Sequence, residues 1–69
     1  MKLSARNVLK GKVKSYEKGI VNVEVVIEIA PGLNITSVIT KTSFDNLGLK
    51  EGSKAYAIIK GSNVMLGID

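Results

Sequence analysis

Between Ile20 and Ile29 apolar side chains recur at every second position, Val21, Val23, Val25, Ile27 and Ile29, against Asn22, Glu24, Val26 and Glu28. A period of two sets one row of side chains on each side of an extended backbone, so this run reads as a long strand with one buried face. Valine and isoleucine fill most of that row and suit the pleated conformation. Such a strand needs partners for its N–H and C=O groups and a cover for its apolar face. With 69 residues, the chain has room for one small domain to provide both.

The flanking segments supply the partners. From Leu9 to Tyr16 the pattern again alternates, with Leu9, Gly11 and Val13 on one face and Lys10, Lys12, Lys14 and Tyr16 on the other. This predicts a first strand with one wet face. Glu17-Lys18-Gly19 then predicts a hairpin turn with the glycine at positive φ. Ala30-Pro31-Gly32-Leu33-Asn34 breaks the pattern as a loop, and Ile35 to Thr40 resumes it as a third strand. Hydroxyls at Thr40, Thr42 and Ser43 are candidate caps for one or two helical turns through Phe44 and Leu47, closed by Gly48. Ala55 to Lys60 is a fourth strand, apolar on both faces, and Asn63 to Ile68 predicts a short fifth. In that fifth strand Val64, Leu66 and Ile68 share a face, with Met65 on the other.

Five strands with one short helix between the third and fourth is the element order of an all-β, OB-like five-stranded small barrel. Residues 1–69 form it as a single domain. Val26, Val38, Ile58 and Met65, on the second faces, exceed what so small a barrel can bury. They predict subunit interfaces and hence a homo-oligomer.

Composition narrows the chemistry. The chain has no cysteine and no histidine, which removes disulfides, thiolate and imidazole metal ligands and the commonest general base. Glu17, Glu24, Glu28, Asp45, Glu51 and Asp69 are scattered without calcium-loop spacing, so neither a bare metal site nor an enzyme is expected. The net charge of +4 favours anionic partners. No run approaches membrane-spanning length, which predicts a cytoplasmic protein without membrane contact.

Polar groups interrupt the aliphatic pattern at three element ends: Ser4 and Arg6 before the first strand, Thr40 and Ser43 at the helix start, and Lys60 and Ser62 after the fourth strand. Two formal positive charges and several neutral donors suit a tetrahedral dianion. Taken singly, Thr40 and Ser43 also read as plain caps, Lys60 as a solvated strand end, Ser62 as a turn residue and Asn7 as the start of a turn.

The run Ser4-Ala5-Arg6-Asn7 followed by Leu9 and Gly11, with Glu24-Val25-Val26, Ile35-Thr36-Ser37-Val38-Ile39, Leu47-Gly48-Leu49-Lys50-Glu51-Gly52 and Ile59-Lys60, resembles the molbindin (Mop) family of molybdate-binding proteins. The similarity spans essentially the full length. A unit this short is similar to the single-domain clostridial type, whose fold also forms the TOBE domain of molybdate transporters and molybdate-responsive regulators. The resemblance implies a hexamer, a trimer of dimers, holding molybdate or tungstate between subunits for molybdenum storage or homeostasis. It assigns Ser4 and Arg6 to one subunit's share of the site and Thr40, Ser43 and Lys60 to a neighbour's. Gly61 and Ser62 match the loop that closes the site, while Ala5 and Asn7 support it. It implies no organic cofactor. The rival reading is a single-stranded nucleic-acid module, carried by the stripe Lys10, Lys12 and Lys14. Tyr16 and Tyr56 are its only stacking platforms, which makes that reading the weaker one.

Overall fold

Twelve residues, Asn7–Lys18, form β1, and this one strand serves two partners. A computed structural model describes residues 1–69. The first half of β1 pairs antiparallel with β4 (Lys54–Ile59), from Asn7 opposite Ile59 to Lys12 opposite Lys54. The second half pairs antiparallel with β2 (Asn22–Ala30), from Lys12 opposite Glu28 to Lys18 opposite Val23. β3 (Leu33–Thr40) continues the sheet on the far side of β2, giving the order β3-β2-β1-β4.

The hand-over from one partner to the other occupies Gly11 to Ser15. A Cβ on Gly11 would stand 2.5 Å from the Glu28 carbonyl oxygen and 2.8 Å from Ile27 Cγ2, so only a hydrogen fits where the strand turns from β4 towards β2. Two residues on, the register slips between Val13 and Ser15, leaving Lys14 as the extra residue of a bulge. Val13 meanwhile accepts from the Gly52 N–H at 2.8 Å and donates to the Ser53 carbonyl at 2.9 Å, which holds the turn before β4 against the bulge.

The bulge reverses which side of β1 faces inward. Before it, Leu9 and Gly11 lie opposite Ala57 and Ala55; after it, Tyr16 and Lys18 lie opposite the buried Val25 and Val23. Tyr16 therefore leaves the wet face on which simple alternation puts it. Its ring packs 4.9 Å from that of Phe44, centroid to centroid, and Lys18 Nζ sits 5.3 Å above the same Phe44 ring. The core consists of Val13, Val23, Val25, Ile27, Phe44 and Ala57, with Ile29, Ile35, Ile39, Leu49 and Ala55 packed around it.

Turns and caps follow from local chemistry. Pro31 and Gly32 alone connect β2 to β3, with Gly32 at φ 75°. Helix α1 (Lys41–Leu47) starts on Thr40 and stops at Gly48, whose φ of 62° and ψ of 33° are the left-handed values favoured by glycine. Gly19 differs from expectation: its φ is not positive. Its lack of a side chain instead lets the backbone close tightly, the Gly19 N–H donating to the Asn22 carbonyl at 2.7 Å.

The expected fifth strand is absent, so the barrel has four strands and remains a curled half-barrel, unpaired between β3 and β4. A single 3-10 turn, η1 (Gly61–Asn63), follows β4, and residues 64–69 join no ladder. Alternating apolar residues state which side a strand would bury but provide no edge to pair with, and in the single chain Leu66 and Ile68 are 95% and 101% exposed. No helix is long and apolar enough to cross a membrane.

Gly11→Ala drives a methyl group into backbone that cannot swing aside. It is expected to destabilise the fold by about 1–3 kcal/mol, the usual cost of overpacking. Urea unfolding followed by circular dichroism measures this, and an unchanged midpoint would contradict the close approach.

Candidate functional site

The β1–β4 register fixes one group of candidate residues. Asn7 opens β1 opposite Ile59, the last residue of β4, so Arg6 and Lys60 leave the ladder side by side. The Asn7 carboxamide reinforces that end, its Nδ2 donating to the Ile59 carbonyl at 3.2 Å. Ser4 and Arg6 lie in bends ahead of β1 and are exposed, with Ala5 half-buried between them. Lys60 precedes η1 in extended conformation, and Gly61 and Ser62 form its exposed first two residues. A Cβ on Gly61 would meet nothing within 4 Å, which leaves its backbone open to approach.

Thr40 and Ser43 form a second group elsewhere. Thr40 lies opposite Asn22, and the adjacent pair is Ile39 with Val23, which in turn faces Lys18 at the far end of β1. The length of β1 therefore separates this group from Arg6 and Lys60, on the order of 30 Å along the strand. Within one chain Arg6 and Lys60 flank the same end of the β1–β4 ladder, with Ser4 just before and Gly61 and Ser62 just after them in sequence, while Thr40 and Ser43 lie beyond the other end of β1. Lys60 thus falls with Arg6 in the single chain and not with Thr40 and Ser43, where the resemblance groups it.

Thr40 is the N-cap that its position predicts. Its Oγ1 accepts from the Ser43 N–H at 3.0 Å and donates to Ser43 Oγ at 2.9 Å. With Ser43 Oγ already accepting, its own proton remains to be donated outward. Backbone from β2 pins the same corner, the Lys41 N–H donating to the Val21 carbonyl at 2.8 Å. Both hydroxyls are at the surface.

The grouped side chains thus offer guanidinium, ammonium, hydroxyl and backbone donors. No cluster of three or more metal-ligating side chains exists. A third feature escaped the sequence pattern: an apolar groove of about 350 Å³ between the β3 and β4 sides of the half-barrel, lined by Val25, Ile27, Ile39, Leu49 and Ala55. Its only sequence signal is the small Ser37 standing between Ile35 and Ile39 on the inward row of β3.

A curled antiparallel half-barrel with donors at its two ends is the architecture of a small ligand-binding module. The TOBE domain model matches residues 3–66, and the chain belongs to the TOBE domain family, among its molybdenum-pterin-binding (Mop) proteins. It is 52% identical over 66 residues to molybdenum-pterin-binding protein 3 of Clostridium pasteurianum, covering 96% of this chain and 97% of that one. To a probable molybdenum-pterin-binding protein of Haemophilus influenzae it is 48% identical over 69 residues, all of both chains. Among solved structures, MopII from Clostridium pasteurianum superposes with a TM-score of 0.91 at 49% identity, over 97% of this chain and 100% of that one.

Thr40→Ala removes an acceptor that no other side chain replaces. It is expected to cost about 0.5–2 kcal/mol of stability, and Thr40→Ser to retain most of it. Equal urea midpoints for the two variants would refute the cap.

Proposed function

We propose that this chain binds molybdate or tungstate reversibly, for molybdenum storage or homeostasis, and carries out no catalysis. The observation that carries the reading is the sorting of exposed donors into two groups at opposite ends of β1, in a chain about half identical to proteins named for molybdenum binding. A tetrahedral dianion offers only acceptors, and Arg6, Lys60, Ser4, Thr40, Ser43 and the Gly61–Ser62 backbone are its complement. The anion keeps its oxygens throughout.

The site is shared between subunits of a hexamer, a trimer of dimers, Ser4 and Arg6 coming from one subunit and Thr40 and Ser43 from a neighbour. Lys60, which the family resemblance assigns to the neighbour with Thr40 and Ser43, follows Ile59 at the same end of the β1–β4 ladder as Arg6, so here Lys60 and the Gly61–Ser62 loop are taken with their own subunit's Ser4 and Arg6. Assembly is supported by surfaces that one copy leaves bare: Val38 at 63% exposure, Met65 at 92%, and the open apolar groove. Bound dianions offset the repulsion of cationic subunits and stabilise the assembly by mass action. The nucleic-acid reading loses ground, because Tyr16 packs on Phe44 and only Tyr56 remains as a stacking platform.

Calorimetric titration with molybdate, repeated in excess sulfate, tests the reading. The expected result is tight binding that sulfate does not displace. Arg6→Ala should weaken it roughly tenfold or more, as befits a lost charged hydrogen bond, whereas Lys12→Ala, on the open face of β1, should change it little. Equal losses from both variants would contradict the site.

A further inference from the structure

Three of the chain's four side-chain hydrogen bonds are local, joining residues three apart; the fourth runs from Asn7 Nδ2 to the carbonyl of Ile59, across 52 residues of sequence. The acceptor is the last residue of β4, directly before Lys60, and the donor is the first residue of β1, directly after Arg6. We infer that Asn7 is a positioning residue, a clamp that holds the segment Ser4–Arg6 and the loop Lys60–Ser62 in one fixed relation. The inference rests on the molybdate reading for its consequence, and on the Asn7–Ile59 contact for its mechanism.

Both segments lie outside the ladder, where backbone pairing no longer restrains them. Ser4 and Arg6 occupy bends, and the 3-10 turn holds only two bonds of its own, Asn63 N–H to the Lys60 carbonyl at 2.8 Å and Val64 N–H to the Gly61 carbonyl at 3.2 Å. Neither bond reaches the N-terminal segment. The Asn7 carboxamide is the one side-chain link between the two strand ends. Two pieces outside the ladder that must meet one anion bind it only in the fraction of time they are aligned, and apparent affinity falls by that fraction. A clamp raises the aligned fraction without touching the ligand. Asparagine suits the task because its amide donates without adding charge beside Arg6; an aspartate of the same shape would accept only, and would repel the anion.

The test titrates the assembled protein with molybdate in three forms: unchanged, Asn7→Ala and Asn7→Gln. It also follows backbone amide exchange at Asn63 and Val64, with Val23 and Val25 in β2 as an internal reference. Asn7→Ala is expected to bind roughly three- to tenfold more weakly, the effect of one hydrogen bond, and Asn7→Gln to recover most of the loss. Exchange at Asn63 and Val64 should quicken in Asn7→Ala without molybdate, while Val23 and Val25 keep their rates. Unchanged affinity in Asn7→Ala, a loss that glutamine does not recover, or equal acceleration in β2 would each overturn the clamp. Failure of the unchanged protein to bind molybdate would overturn the molybdate reading instead, and the exchange rates alone would then decide whether Asn7 holds the loop.

Discussion

Everything in this fold depends on β1 passing from one partner to another within a few residues. The contact that permits it is Gly11 lying against the backbone of Glu28, where even a methyl group would collide. Because β1 closes on β4 with its first half and on β2 with its second, the sheet curls instead of lying flat, and the bulge at Lys14 completes the change of direction. The inward rows of β2 and β1 then converge on Val13, Val23 and Val25, which are almost wholly buried. Six buried residues make a small core for 69, and hydrophobic burial in so short a chain leaves little margin.

The same strand decides how function is laid out. Its first residue carries the link to the end of β4, and its last lies beside the strand that leads to Thr40. A rigid element between the two donor groups keeps them apart within one chain and presents each at a surface, as the proposed sharing of a site between copies requires. Both donor groups are held before any ligand arrives, Thr40 by its own cap bonds and the β4 end by Asn7, which lowers the ordering cost of the binding proposed for them.

Much of this was legible in the sequence, and the failures have identifiable causes. β2 is unmistakable because its period of two is unbroken over nine residues, and α1 is bounded by a hydroxyl and a glycine whose chemistry caps a helix at either end. The reversal at Lys14 was hidden, since a bulge adds a residue without altering the apparent alternation, and Tyr16 was accordingly put on the wrong face. The tail from Val64 to Ile68 carries the pattern of a strand but pairs with neither free edge of the sheet, β3 or β4. At the site, the polar residues could be picked out because they interrupt an aliphatic chain at element ends. The family resemblance divides them into two groups but sets Lys60 with Thr40 and Ser43; that Lys60 flanks the same ladder end as Arg6 depends on the β1–β4 register, which no local pattern states.

The claim that the site is shared between copies is tested most directly by mixing two damaged chains. Arg6→Ala and Ser43→Ala are co-expressed with different tags, mixed assemblies are isolated through both tags, and molybdate binding is compared with that of each variant alone. A shared site predicts that mixed assemblies regain part of the tight binding, because an intact Arg6 from one chain meets an intact Ser43 from the other. Mixed assemblies that bind no better than the average of the two variants would contradict it.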